Sequence, residues 1–250
     1  MSHLKRHNAP SFWPIKRKGV VWSVKPSPGP YSLSQSIPLL ILVRDVLKLA
    51  DTAKEAKHII KQGKVLVDKK ARTDPRFPLG LMNVVEFPDA KTHLQLIMGK
   101  HGLEAKEIEP SEATQKICRI EDKKTVKNNV FQLNLHDGRN MLVDNNQYKP
   151  GDSLLIELPT QNILDHFKLE KSSPATVIGG KNIGSNGHIA EIHERKNLLE
   201  KNRIIVESGG RKIETLKKYI LVTGSPGGKP DTKTEATKAK QKKPKAIEKS

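Results

Sequence analysis

The sequence has few of the residues that disulfide cross-links or one large hydrophobic core would require. Cys118 is its only cysteine, so neither a disulfide nor a cysteine-based zinc site can form within the chain. Aromatic residues make up 4% and hydrophobic residues 35%, whereas charged residues reach 29%. Because little apolar surface is available for one thick core, several small modules are favoured over a single large domain.

Long apolar runs and an N-terminal leader are also missing. The longest apolar run, Leu39–Val43, is far too short to cross a bilayer. The first residues, Met1–Arg6, lack the apolar stretch of a signal peptide. Together with the single cysteine, these features predict a cytoplasmic protein in a reducing compartment.

Positive charge dominates what is present. The formal net charge is +18 at pH 7, and the pI is about 9.9. Such a surplus predicts a polyanionic partner, because each phosphate that a Lys or Arg neutralises releases a condensed counterion. A membrane surface is the competing polyanion, but no segment has the wide apolar face of a membrane-binding helix. A nucleic acid is therefore the predicted partner, and no membrane is expected.

The charge is unevenly distributed along the chain. Residues 1–36 carry six Lys or Arg and no acid, and residues 226–250 carry eight against three acids. The stretch 101–174 is slightly acidic, with ten basic and twelve acidic residues. We predict an α+β multi-module protein with five regions: an extended basic arm (1–36), an RNA-binding helix-pair/sheet module (37–100), a central antiparallel β domain (101–172), a small β-barrel (173–225) and a disordered Lys-rich tail (226–250).

The predicted arm combines prolines, cations and aromatic residues. Five prolines between residues 10 and 30 block regular helix and sheet. A solvated tail is one interpretation of this composition. Trp13 and Trp22 beside Lys16, Arg17 and Lys18 favour the other interpretation, an arm that stacks on bases and packs into RNA crevices.

Helix and turn signals follow the arm. Ser36 and Pro38 predict a helix over 39–50, and Thr52 with Glu55 forms a capping box for a second helix that ends at Gly63. A strand over 64–67 and a turn over 68–70 come next. This order resembles the S4-type RNA-binding module, or alpha-L motif, in which the helix pair lies against RNA backbone. One departure is Lys69, which stands where that turn usually has glycine.

The central region shows short strand-like runs and turn signals. Runs over 94–98, 115–119, 130–135, 141–143 and 154–158 predict a small antiparallel barrel or sandwich. His136, Asp137, Asp144 and Asp152 all occupy turn contexts in which these residue types are ordinary. We therefore predict no catalytic residue, no metal site, no cofactor and no small-molecule substrate.

A glycine-rich loop marks the third module. The segment 179–187 lacks the Gly-Lys-Ser/Thr ending of a P-loop and the spacing of a Rossmann loop, and a strand follows it. The pattern resembles the KOW motif, which sits in an SH3-like barrel and whose loop brings backbone close to RNA. On that interpretation Gly187 belongs to the RNA-approaching loop. A hairpin without a partner is the alternative.

The pieces together resemble one family. They begin with an N-terminal pattern formed by His3, Lys5, Arg6, Ala9, Pro10 and Trp13, and they continue through the run 22–30 and the two modules. Over roughly residues 3–222 the chain resembles the S4e family of ribosomal proteins. His7 departs from the apolar residue usual there. The resemblance implies a structural constituent of the small ribosomal subunit that binds ribosomal RNA and neighbouring ribosomal proteins and is not a homo-oligomer.

Two other classes compete with this interpretation. A transient translation or transcription factor would use the same modules, but a Trp-bearing basic arm opposes dissociation. An RNA-modifying enzyme would need a catalytic domain, for which the central module is too small. The predicted RNA-contacting residues are Lys5, Arg6, Trp13, Lys16, Arg17, Lys18, Trp22, Lys25, Arg44, Lys48, Lys54, Lys57, Lys61, Lys64, Lys69, Lys70, Arg72, Lys181, Asn182, Ser185, Asn186, His188, Arg195 and Lys196.

Overall fold

The computed structural model describes residues 3–126, 129–195, 197 and 200–224. Within them the chain is mostly β, with nineteen strands and two short helices besides several 3-10 turns. Every strand pair is antiparallel. Lys196 and the predicted tail over 226–250 lie outside the described residues. No helix of the described part has the length and apolarity that crossing a membrane requires.

The N-terminal segment is largely irregular but folds back onto the first module. Its strands β1 (Leu4–Lys5) and β2 (Trp22–Ser23) pair with each other. Leu4, Ala9, Trp13 and Tyr31 are all buried. Leu4, Ala9 and Trp13 pack in one cluster with residues of the first module such as Ile37 and Ile41, so apolar contacts hold the segment in place.

Two helices open the first module. Helix α1 (Leu39–Ile41) continues as a π-helical turn over Leu42–Val46, so it is shorter than the predicted 39–50. The chain turns at Lys48, whose φ is 54°. Helix α2 (Ala53–Lys61) begins with the predicted capping box, in which the Thr52 side chain and the Glu55 carboxylate each accept a backbone N–H.

A five-stranded sheet completes this module. A separate pair is formed by β3 (Ile37–Pro38) and β6 (Pro78–Leu79). The sheet contains β4 (Leu66–Val67), β5 (Lys70–Ala71), β7 (Val84–Phe87), β8 (Thr92–Gly99) and β9 (Gly102–Glu107), in the order β5-β4-β7-β8-β9. The predicted boundary after residue 100 therefore falls between two paired strands. Buried residues from both helices and the sheet form one core.

The central sheet is built around one long strand. Its strands are β10 (Gln115–Thr125), β11 (Phe131–Leu135), β12 (Asn140–Val143), β13 (Ser153–Glu157) and β14 (Ile163–Phe167). Their order is β12-β11-β10-β13-β14. Strand β10 pairs with β13 as far as Arg119 and with β11 from Ile120 onward, and it is irregular between Ile120 and Asp122. The side chains of Cys118, Ile120, Leu133, Leu154 and Ile156 fill the core on one face.

The third sheet follows directly. It contains β15 (Pro174–Val177), β16 (Asn186–His193), β17 (Arg203–Ser208), β18 (Arg211–Leu216) and β19 (Ile220–Val222), in the order β18-β17-β16-β15-β19. Alternating residues such as Ile204 and Val206 on β17 point into its core. The glycine-rich segment joins β15 to β16.

Candidate nucleic-acid interface

Helix α2 carries a cationic face. Lys54, Lys57 and Lys61 are exposed, whereas Ala56 and Ile60 are fully buried on the opposite side. Within the described residues none of the three lysines forms an ion pair within 4 Å. Their charge is therefore available to a phosphate without first breaking a pair with a carboxylate.

Other predicted cations of the first module have carboxylate partners. Arg44 pairs with Asp45 at 2.7 Å, Lys64 with Asp89 at 2.9 Å, and Lys69 with Glu86 at 2.8 Å. The Lys64 pair is exposed on both sides, so water screens it and a phosphate can compete for the lysine. The Lys69 pair includes a carboxylate that is only 6% exposed, and this holds the side chain against the sheet.

Arg72, Lys48 and Lys70 differ in exposure. The guanidinium of Arg72 lies 4.4 Å from the centre of the Phe77 ring, and its Nε is buried without a hydrogen-bond partner among the described residues. Lys48 and Lys70 are exposed. Lys70 follows a turn in which both Asp68 and Lys69 have positive φ, at 48° and 63°. A lysine thus adopts the left-handed conformation for which glycine is usual in this turn.

Two predicted contacts of the N-terminal segment require correction. The Trp13 side chain is 2% exposed, and its Nε1–H donates to the Ser36 carbonyl at 2.8 Å. The Arg17 guanidinium donates to the carbonyl oxygens of Arg6, Ala9 and Pro10 at 2.7–2.8 Å. An indole in the core has no face to offer to a base, and the Arg17 guanidinium gives three of its five N–H groups to backbone carbonyls, which holds the loop closed.

The second tryptophan and three of the remaining cations of this segment are exposed. Trp22 is 53% exposed, and its ring lies 5.4 Å from that of His3. Lys5, Lys16 and Lys18 are exposed, and Lys25 is half-buried. Arg6 donates to the carbonyls of Lys16 and Trp22, which fixes the loop between them. The structure also brings Trp22, Lys25 and Lys57 together around one small cavity.

The residues predicted around the glycine-rich loop are mostly exposed. Lys181, Asn182 and Arg195 are exposed, and Ser185 is half-buried. Asn186 accepts a hydrogen bond from Thr176 at 2.8 Å, and the His188 ring lies 3.3 Å from the Ser172 carbonyl. The loop therefore presents one cation, Lys181, at its tip.

The glycines of this loop serve packing within the chain. A β-carbon at position 184 would lie 2.5 Å from the carbonyl carbon of Gly99, which belongs to the first module. At position 187 it would lie 2.1 Å from the carbonyl oxygen of Glu207. Gly187 is part of β16 and pairs with Ala175 of β15, and its missing β-carbon leaves room for the Glu207 carbonyl of β17. The expectation that Gly187 brings a loop to RNA is corrected accordingly, since the close approach is to protein backbone.

Sequence reasoning missed a buried ionic cluster between the first two modules. Lys116 on β10 is fully buried, and its Nζ lies 2.9 Å from Asp68 and 3.0 Å from Asp137. Arg139 pairs with both carboxylates, at 2.7 and 3.2 Å. Burial would by itself lower the pKa of Lys116 and raise that of Asp137, but the opposite charges reverse both shifts. A lysine at the same strand parity as Cys118 and Ile120 was the available signal.

Two further side chains join the modules. The His136 ring accepts from the Arg119 N–H at 3.1 Å through Nδ1, and its Nε2–H donates to the Leu81 carbonyl at 3.3 Å. Arg119 in turn donates to the carbonyls of Ile220, in β19 of the third sheet, and of Lys218, in the turn just before it. These bonds connect all three sheets, so the outward-facing cations are held in a defined arrangement.

Three family models match the chain. They are described as RS4NT (NUC023) domain over residues 2–34, S4 domain over 38–85 and Ribosomal family S4e over 91–163. Their order along the chain is the order predicted from the motifs for the arm, the helix-pair module and the central domain.

Individual relatives match over nearly their whole length. Small ribosomal subunit protein eS4 of Methanothermobacter thermautotrophicus is 40% identical over 91% of this chain and 97% of its own. The protein of the same name from Ignicoccus hospitalis is 47% identical over 89% and 91%. The crystal structure of the 30S ribosomal protein S4e from Thermoplasma acidophilum is 27% identical, with a TM-score of 0.68 over 77% of this chain and 97% of that one. The predicted family is confirmed: the chain belongs to the ribosomal family S4e.

Proposed function

We propose that this chain is a structural constituent of the small ribosomal subunit that binds ribosomal RNA and neighbouring ribosomal proteins. The observation that carries the proposal is the match at 40–47% identity, nearly end to end, with relatives named small ribosomal subunit protein eS4. The net charge of +18 supports a polyanionic partner independently. On this proposal the protein works in the cytoplasm, bound to the ribosome, and its action is binding without a catalytic step.

The mode of binding follows from the exposed cations. Lysines that form no ion pair supply affinity and position through phosphate contacts, which carry little base-specific information. Helix α2 offers such a face, since three exposed lysines lie within two turns. The exposed residues that we retain as contacts are Lys5, Lys16, Lys18, Trp22, Lys48, Lys54, Lys57, Lys61, Lys64, Lys70, Lys181, Asn182, Asn186, His188 and Arg195.

We assign the third sheet a KOW-type role. The hairpin from β15 to β16 has the strand, glycine-rich loop and strand of that motif, and Lys181 at its tip is exposed. Gly184 rests on the first module, so the loop is supported from within the chain and Lys181 is presented at a fixed position. This arrangement favours one phosphate contact at the tip over insertion of the loop backbone into RNA.

Sedimentation is the direct test of subunit membership. Extract of source cells is run on a gradient before and after a high-salt wash, and the protein is counted by mass spectrometry. A stoichiometric constituent stays at about one copy per small subunit after the wash. Movement to the top of the gradient, or presence on a minority of particles, identifies a transient factor and overturns the proposal.

Charge reversal tests the α2 face separately. Lys57→Glu with Lys61→Glu removes two cations that we place on phosphates, so the slope of log K against log salt becomes shallower by about 1.4 to 1.8. The matched control is Lys168→Glu with Lys171→Glu, which changes the charge equally at exposed positions of the central module that are not predicted contacts. Equal effects of the two pairs on rRNA binding would show that α2 is not the RNA surface.

A further inference from the structure

A small cavity lies where the β1–β2 ribbon meets the first module. Its volume is about 160 Å³. Leu4 and Leu40 contribute to its wall and are both buried, so they form an apolar floor. The exposed indole of Trp22 stands at its edge. Lys25, Lys57 and Arg76 also line the cavity, and no carboxylate of the described residues does.

The size of the cavity limits its occupant. An engineered apolar cavity of about 150 Å³ holds a benzene molecule, so this space accommodates one flat ring and little more. A folded partner domain or an RNA duplex cannot enter it. A single base or one side chain can.

All three cavities are lined by cations, but the two larger clefts also contain carboxylates and the lining of the small cavity does not. Clefts of about 400 and 620 Å³ lie between the sheets, and both include Arg119 and Glu121, which pair with each other. In the small cavity, Lys57 and Arg76 are exposed and have no ion pair with any described residue. An anionic group at its mouth therefore meets two exposed cations. The one described carboxylate that is hydrogen-bonded to either residue is that of Asp74, which accepts from the backbone N–H of Arg76 at 2.9 Å.

We propose that this cavity binds one unpaired nucleotide of ribosomal RNA. The base stacks on the exposed face of Trp22 above the apolar floor, and Lys57 and Arg76 bind the adjoining phosphates. A flat aromatic wall beside cations is the arrangement by which proteins hold splayed-out bases. The inference rests on the proposed function. It adds that the N-terminal segment and helix α2 bind the same nucleotide of the RNA.

The test separates stacking from charge. The probe is a full-length small-subunit rRNA transcript from Methanothermobacter thermautotrophicus, titrated at several salt concentrations with the full chain. Trp22→Ala is expected to weaken binding about 5- to 150-fold, the range for losing one stacked base, with the salt slope unchanged. Lys57→Gln is expected to make that slope shallower by about 0.7 to 0.9. Trp22→Phe keeps a stacking surface and retains most of the affinity.

Val20→Ala is the matched control. Val20 is 62% exposed in the same loop and does not line the cavity, so its truncation leaves binding unchanged. Quenching of Trp22 emission on saturation with RNA, taken as the difference between the unaltered protein and Trp22→Phe, is the direct signature of a stacked base. Circular dichroism of each variant confirms that the fold is retained.

The outcomes are distinguishable. If the unaltered protein fails to bind the transcript, the proposed function fails. If it binds but Trp22→Ala has the same affinity as Val20→Ala, the proposal of a nucleotide site is wrong and the proposed function stands. If Trp22→Ala binds rRNA normally but is not incorporated into particles in the presence of the subunit proteins, the cavity holds a side chain of a protein neighbour, and the nucleotide is again excluded.

Discussion

The Lys116 ammonium lies 2.9 Å from the Asp68 carboxylate, and this buried pair joins the central sheet to the turn between β4 and β5. Asp68 also accepts from the Asn83 side chain and the Val84 N–H, both at 3.0 Å. Asp137 lies on the other side of the ammonium. A lysine ammonium that is fully buried is stable only when carboxylates surround it. The first two modules are therefore docked through a polar contact that excludes water.

Lys116→Met is expected to destabilise the protein by about 3–5 kcal/mol. The substitution leaves Asp68 and Asp137 buried against the Arg139 charge alone, and an uncompensated buried carboxylate accounts for the loss. The free energy of unfolding from urea titration measures it.

Lys124→Met is the control on the same strand. Lys124 is 66% exposed, and its nearest carboxylate is 3.9 Å away, so its loss changes stability by less than about 0.5 kcal/mol. Equal midpoints for the two variants would contradict a docking role for the buried cluster. Combining Lys116→Met with Asp137→Asn removes one stranded carboxylate and leaves Asp68 paired with Arg139, so it is expected to recover part of the loss.

The His136 contact predicts a loss of stability in mild acid. Burial, with the nearby Lys116 charge, lowers the pKa of His136 to about 4 from 6.5. Its Nδ1 already accepts from the Arg119 N–H, so a proton there would break that bond. The unfolded chain takes up this proton below pH 6.5 and the folded chain does not, so stability is full above pH 6.5 and falls by at most about 3 kcal/mol towards pH 4.

His136→Gln tests this assignment. The variant is less stable near neutral pH because the ring contacts are lost, and its stability curve between pH 6.5 and 4 is flatter. His101→Gln, at an exposed position, keeps the slope of the unaltered protein. A pH curve of His136→Gln that runs parallel to that of the unaltered protein would exclude His136 as the source.

Gly184 and Gly210 have nearly the same φ, so a comparison of their alanine variants separates the cost of the left-handed backbone conformation from the cost of a steric contact. Gly184 has φ +77° and Gly210 has φ +76°, so alanine at either position meets the same left-handed penalty of about 1–2 kcal/mol. A β-carbon at 184 also meets the Gly99 backbone at 2.5 Å, whereas at 210 nothing lies within 4 Å. Gly184→Ala is therefore expected to cost about 1–3 kcal/mol more than Gly210→Ala in thermal or urea unfolding. Equal costs would mean that the loop does not rest on the first module.

Local signals made much of this protein predictable. The capping box at Thr52, the glycine end of α2 and the strand runs of the central sheet depend on neighbours within a few residues, and the structure contains them. The π-helical end of α1 was not foreseen, because a run of apolar residues shows no register change.

Contacts between residues that are far apart in the sequence could not be predicted from it. Trp13 and Trp22 have the same residue type in similar basic surroundings, yet one is buried beneath Ser36 and the other is exposed. Gly187 has the spacing of a loop glycine, but its neighbour is Glu207, twenty residues along the chain. Valine at 187 would therefore disrupt the pairing of β16 with β17, and the expectation of an RNA-facing glycine fails for this reason.

The capping box connects helix stability with the cationic face. Thr52→Ala removes the bond from the Glu55 N–H and is expected to cost about 1 kcal/mol in urea unfolding. Hydrogen bonds from the Thr52 hydroxyl and from the backbone N–H groups of Thr52 and Asp51 lower the pKa of Glu55. The stabilisation that these hydrogen bonds give the folded protein is therefore present above pH 4.5, the pKa of Glu55 in the unfolded chain. It is lost as the pH falls through the lower pKa of Glu55 in the folded protein.

Ser111→Ala is the matched control for this cap. Ser111 is exposed and precedes a 3-10 turn without a side-chain capping bond, so its replacement is expected to be neutral. Because α2 presents Lys54 and Lys57, fraying of its first turn also weakens rRNA binding in Thr52→Ala but not in Ser111→Ala. A Thr52→Ala variant that unfolds earlier yet binds rRNA with unchanged affinity would place the RNA contact elsewhere than on the first turns of α2.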